Sequence, residues 1–275
     1  MIRIFGLLFL AAMAWGQAPS DSDAAELIGK AREKALAYSR SLPDFVCTEV
    51  VHRFVERSPQ TVRALLGRSM GASSAPAAAK WTPADKLTVK LSYFQQQEEH
   101  KLVLVNDKPT DQKYEALPGG IETGEFGGIL QGIFDPATAT SFRWESWKNA
   151  RRHRTAVYTY KVDAAHSRYE VASGAPGDVH SAVVGYHGIL EIERETGEVL
   201  HFTYVADDIP KDVKLNGVST AVEYNFADIG GREYLLPSHC ESEIHSPTLS
   251  VRNVMDFREY RKFSADSSIE FGPPK

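Results

Sequence analysis

The chain has 275 residues and carries 31 basic against 36 acidic side chains, a net charge of −5. That length suits one large domain or two small ones. The charge excludes a broadly basic nucleic-acid-binding face, and the one basic cluster, "NARRHR" at 149–154, reads as a solvated turn.

The first segment, "MIRIFGLLFLAAMAWGQAPS", has a positive charge at Arg3 and then an apolar run from Ile4 to Trp15. The run is too short to span a bilayer, which takes ~20 residues, and its flanks are those of a signal peptide. Ala14 and Gly16 put small residues at the two positions a signal peptidase reads. Residues 1–16 are therefore expected to be removed before Gln17. The mature chain, 17–275, is expected to be a single exported domain without a transmembrane segment, periplasmic if the cell has an outer membrane and otherwise secreted. No cysteine follows the run, so a bacterial lipoprotein anchor is not expected. Two cysteines, Cys47 and Cys240, in an oxidising compartment favour a disulfide over free thiols.

One helix opens the mature chain. Asp21 or Ser22 can cap it, and Ala24, Leu27, Ile28, Ala31, Ala35 and Tyr38 recur at helical spacing. It should stop at "SLP", because Pro43 disfavours helical geometry in the residue before it. Thereafter the period is mostly two. "FVCTEVVHRFVER" reads as a strand, followed by the low-complexity loop "SMGASSAPAAAK". "KLTVKLSYF" places Leu87, Val89, Leu91 and Tyr93 on one face, and "KLVLV" pairs with it as a hairpin. In "TGEFGGILQGIF", Phe126, Ile129, Leu130, Ile133 and Phe134 share one face of a short helix, which Gly127, Gly128 and Gly132 weaken. Strands "SFRWESW", "TAVYTYKVD" and "SRYEV" follow, and then a meander runs from "GILEIER" to "SVRNVMDFREYRKF". The expected class is mainly β (α+β): about eleven antiparallel strands, a long N-terminal helix and a short helix inserted midway.

"HCESEIH" at 239–245 is dense in residues that ligate metals. A strand advances ~3.3 Å per residue, which separates His239 from His245 by roughly 20 Å. Zinc holds nitrogen ligands at ~2 Å, so the two cannot share an ion on a straight strand. If Pro247 and Thr248 form the next turn, Glu243 faces Arg252 and His239 faces Asp256, as on a solvated face. Cys240, Ser242 and Ile244 then oppose Val251, Asn253 and Met255 on the other face. No metal site is assigned.

Motifs for zinc-hydrolase or dinucleotide chemistry (H-E-x-x-H, G-x-G-x-x-G) do not occur, and the one G-x-S-x-G string, "GRSMG" at 67–71, runs into the low-complexity loop rather than a strand-to-helix turn. No catalytic residue and no cofactor is assigned. Glu191, Glu193 and Glu195 read as a wet strand face, Asp207-Asp208 as a strand terminator, and His187 as a hydrogen-bonded structural residue.

The helix running into a strand ("YSRSLPDFVCTEV") and the hairpin "GILEIERETGEVLHFTYVADDIP" resemble segments of the periplasmic lipoprotein-carrier superfamily, which includes LolA, LolB and RseB-type proteins. The chain also resembles a group of secreted bacterial proteins carrying "LP-x-F-x-C" and "EFG" segments, a resemblance that implies no activity. The carrier resemblance implies an unclosed, curved half-barrel whose apolar concave face accepts acyl chains. It carries over no individual functional residue.

On that reading Leu91, Tyr93, Tyr158, Tyr160, Phe202, Tyr204, Tyr224 and Phe226 line the concave face. Phe126, Ile129, Leu130, Ile133 and Phe134 belong to a movable cover. The bland alternative is that the same side chains fill a core. The partner expected first is a lipid or lipidated protein. A periplasmic sensor or protein-interaction module on the same fold is the second reading, and a hydrolase built from scattered groups the third.

Overall fold

The computed structural model describes residues 18–57, 81–114, 117, 125–150, 153–175 and 177–263. The expected signal segment, its cleavage site, the "SMGASSAPAAAK" loop, and part of "NARRHR" lie outside the described residues.

Helix α1 (Asp21–Ser41) is capped by Ser20, whose hydroxyl accepts from Asp23 N–H at 3.1 Å, one residue ahead of the expected cap. It ends where Leu42, before Pro43, turns extended. Leu27, Ala31 and Ala35 form its buried stripe, the small side chains letting the helix lie close on the sheet.

The strands are β1 (Phe45–Arg57), β2 (Thr82–Phe94), β3 (Gln97–Val105) and β4 (Lys108–Pro109), then, after helix α2 (Gly128–Phe134), β5 (Ser141–Ala150) and β6 (His153–Val162). They continue as β7 (Glu170–Ala175), β8 (Asp178–Val183), β9 (Tyr186–Glu193), β10 (Val199–Ala206), β11 (Gly217–Asp228), β12 (Glu233–His245) and β13 (Leu249–Lys262). Eleven of them form one open antiparallel sheet in the order β4-β3-β2-β1-β13-β12-β11-β10-β9-β6-β5. The expected mainly-β, unclosed architecture is therefore the observed one. Among the described residues β7 and β8 pair only with each other, and β8, "DVHSAV", is a strand beyond those expected.

This order has one large consequence. β4 is one edge of the sheet and β5 the other, so the connection between them must cross from edge to edge. Its described part from Glu125 to Phe134, α2 included, packs on the concave face. The first strand, β1, sits in the middle of the sheet against the last, β13, from Phe45↔Lys262 to Arg57↔Leu249.

The outer face of β12–β13 has the expected register: Glu243 opposes Arg252, His239 opposes Asp256, and Cys240 opposes Met255. Ion pairs link Arg252 to Glu241 at 2.6 Å and His239 to Asp256 at 2.9 Å.

Two expectations are corrected. Cys47 and Cys240 are both buried free thiols. β13 lies between their strands, and the β1 residue in line with Cys240 is Val51, opposite Met255. Two strand spacings of ~4.8 Å plus roughly 13 Å along β1 separate the cysteines, well beyond the ~7 Å that a bridge tolerates between Cα atoms. The second correction concerns Glu191 and Glu193, which are buried, not wet. Lys148 reaches over from β5 to bond Glu191 at 2.6 Å, and Glu193 folds back to accept from the N–H groups of Glu195 and Thr196. His187 bonds Asp207 at 2.6 Å, in keeping with a structural role.

Candidate functional site

The concave face is rich in aromatic side chains because period-two placement on β2, β6, β10 and β11 turns the same parity inward. Leu91, Tyr93, Tyr158, Tyr160, Phe202, Tyr204 and Tyr224 are all buried there. Tyrosine serves this position well: its ring fills apolar space while its hydroxyl satisfies a main-chain carbonyl. Tyr93 donates to Ser39 O of α1 at 2.8 Å, Tyr224 to Glu125 O at 2.6 Å, and Tyr160 to Thr203 O at 2.9 Å. The sheet thus grips both elements laid across it.

The second of those elements is the strap, Glu125 to Phe134. Phe126 packs against Phe45, Tyr93 and Phe257 with ring centroids 5.3 Å, 6.0 Å and 5.7 Å away. Leu130, Ile133 and Phe134 are buried, and Phe134 stacks on Phe142 of β5. Gly127 opens α2 at φ +113°, with no side-chain cap. Any Cβ there would strike Ser39 and Tyr38 of α1, so glycine is needed for both backbone angle and close approach. The strap is otherwise tied by side chains: Ser39 Oγ to Phe126 O at 3.1 Å and Thr140 Oγ1 to Ile133 O at 2.6 Å.

Two cavities flank the strap. One, of about 400 Å³, lies between α1 and β11–β12; Leu130, Tyr224 and Phe226 contribute to its wall, with Lys34, Arg232 and Glu233. The other, of about 330 Å³, is lined by Ile129, Gly132, Tyr169, Tyr186 and Tyr204. Both fall in the range of small-ligand sites. Phe226, expected to face inward, is 45% exposed: it has the inward parity but lies beyond the cover, at the first cavity. Ile129 is half-buried in the second. The remaining expected groove residues are core in this closed arrangement.

The expectation of a purely apolar face missed a polar end. On β1, Phe45, Cys47, Glu49 and Val51 share the inward parity and are all buried. His100 of β3 lies 3.7 Å from Glu49 and stacks on Tyr114. Burial pushes the Glu49 carboxyl up to about 8, the Glu98 charge adding to it. Parity with Phe45, Cys47 and Val51 was the available signal, but "CTEVVH" carries apolar residues at both parities. No group of three His, Cys, Asp or Glu among the described residues is arranged to hold a metal ion. No described helix is long and apolar enough to cross a membrane.

No protein-family model matches the chain, and no curated protein matches it. Two solved structures are similar to it. One is a LolA-superfamily protein of Nitrosomonas europaea, with a TM-score of 0.35 and 7% identity over 88% of this chain and 94% of that one. The other is titled an outer membrane lipoprotein-sorting protein domain, from Vibrio parahaemolyticus. Its TM-score is 0.33, at 10% identity over 88% of this chain and 92% of that one. At such overlap neither likeness carries a functional inference.

Proposed function

We propose that the protein is an exported binding protein that holds one acyl chain, of a lipid or a lipidated protein, beneath the strap on its concave face. The observation that supports this most is the strap itself. A seven-residue helix, opened by a left-handed glycine, crosses an aromatic sheet face between two cavities to which it contributes residues. So short a helix has little stability of its own and depends on its packing. Lifting it would join the two cavities across the face that Phe126 and Leu130 now fill. Each methylene placed there contributes ~0.8 kcal/mol, so a long chain can replace what the strap gives up.

The test is uptake of a fluorescent hexadecanoyl probe, alongside native mass spectrometry of protein purified from its own host. Phe226→Glu and Ile129→Glu place a carboxylate in each cavity at positions that are already partly open, so the fold should tolerate them. Each is expected to weaken uptake by about tenfold, the cost of desolvating a charge against an apolar chain. No uptake by the unaltered protein across several lipid classes would remove this reading. A stoichiometric protein in the mass spectrum would favour the protein-interaction role instead.

A further inference from the structure

Glu49 is 2% exposed, between Cys47 and Val51 on the inner face of β1. It stands opposite Val89 on β2 and Phe257 on β13. Among the described residues its Oε2 has no hydrogen-bond partner, and His100 Nε2 is 3.7 Å from that oxygen. Leaving a buried acceptor unsatisfied costs its full desolvation, and native interiors keep few such atoms without a role. Glu98 lies close enough to raise the Glu49 carboxyl, and Glu125 is buried at the start of the strap. A positively charged N–H donor would complete the Glu49 carboxyl.

Resting on the groove reading above, we propose that this end of the concave face is a head-group site for a primary ammonium. The preferred ligand is then a cationic amphiphile, an amine-bearing head on a single aliphatic chain, with Glu49 taking the ammonium. The placement suits one opening movement. Phe126 of the strap packs on Phe257 at 5.7 Å, and Phe257 is the residue opposite Glu49, so lifting the strap uncovers the carboxyl and the aromatic wall together. The titratable groups around Glu49 are Cys47 on its own strand, Glu98 and His100 on β3, Tyr114, Glu125 on the strap and Tyr260 on β13. Arg53, further along β1, is engaged by both oxygens of Asp85 at 2.6 Å. Because burial keeps the Glu49 carboxyl protonated up to about pH 8, an entering ammonium displaces that proton. The carboxylic acid becomes a carboxylate paired with the ammonium, and one proton leaves to solvent.

Titration calorimetry of the purified protein with dodecylamine and with dodecan-1-ol, near neutral pH in buffers of different ionisation enthalpy, tests this. The amine is an ammonium at that pH. It is expected to bind at least about tenfold more tightly than the alcohol, as a charge-assisted hydrogen bond warrants, and to release close to one proton. Glu49→Gln should bring the amine to the affinity of the alcohol and leave the alcohol unchanged. Equal affinities in the unaltered protein, no proton release, or an amine preference that survives Glu49→Gln would each overturn the ammonium site while leaving the groove standing. Binding of neither probe would overturn the groove reading and this site with it. The comparison of probes on the unaltered protein decides the matter even if the variant fails to fold.

Discussion

The outer face of β12–β13 and the inner face of β1 carry glutamates with the same period of two, and their fates differ. Glu241 and Glu243 share Arg252 on an open surface, each with about a third of its side chain exposed. Glu49 alternates as regularly with Phe45, Cys47 and Val51 and is buried with them. Period two assigns a residue to a face. Whether the face is wet depends on what the rest of the chain lays over it. β9 makes the point a third way: Glu191 is on the outer face, yet is buried by a lysine arriving from two strands away.

The largest expected effect is on Glu49. Its folded carboxyl is raised to about 8 from an ordinary value of 4.5, so between those values the folded state holds a proton that the unfolded state has lost. Stability is therefore fully present below about pH 4.5 and declines toward pH 8, by about 1.4 kcal/mol per pH unit for a single proton. The total loss is on the order of several kcal/mol. Glu49→Gln, which mimics the protonated form, should flatten this decline in urea unfolding measured from pH 5 to 8. A profile as steep as that of the unaltered protein would place the titrating group elsewhere.

Glu191 should give an intermediate effect. Removing Lys148 leaves a largely buried carboxylate to His201, 3.4 Å away, and Lys148→Ala is expected to cost about 1–3 kcal/mol. Lys148 is itself half exposed, so solvent screening holds the figure toward the lower end. On the open face, Arg252→Ala should cost no more than about 1 kcal/mol, because its carboxylate partners regain water. If Arg252→Ala proves as damaging as Lys148→Ala, the distinction between the two faces fails. The smallest effect is expected from reductant. With both cysteines free, dithiothreitol should leave the Tm unchanged, whereas a bridge closing so long a loop would supply up to about 5 kcal/mol. A Tm that drops on reduction would contradict the strand order between Cys47 and Cys240.

Much of the fold was legible because it rests on local patterns. Helix α1 follows from its apolar spacing and from Pro43. The β12–β13 register follows from opposite charges that meet only in one alignment, Glu243 with Arg252 and His239 with Asp256. The inward parity of Leu91, Tyr93, Phe202, Tyr204 and Tyr224 was equally plain. The site was less legible. Phe226 has the right parity and the wrong position along the strand, past the end of the cover. The β7–β8 hairpin was half missed because β8 lies on no large sheet, so its alternation is shallow, with Val179 and Val183 left exposed.

By itself the sequence determined which residues alternate, where helices start and stop, and how adjacent strands in the last meander align. These depend on residues within a turn or a hairpin of each other. Only the tertiary structure decided that β4 and β5 are opposite edges, which forces the strap across the concave face. It alone set β13 between the strands of the two cysteines, and brought Glu49, His100, Tyr114 and Glu125 to one end of the inner face. Those relations join residues far apart in the chain. Their free energies come from burial and charge that no local window of sequence contains.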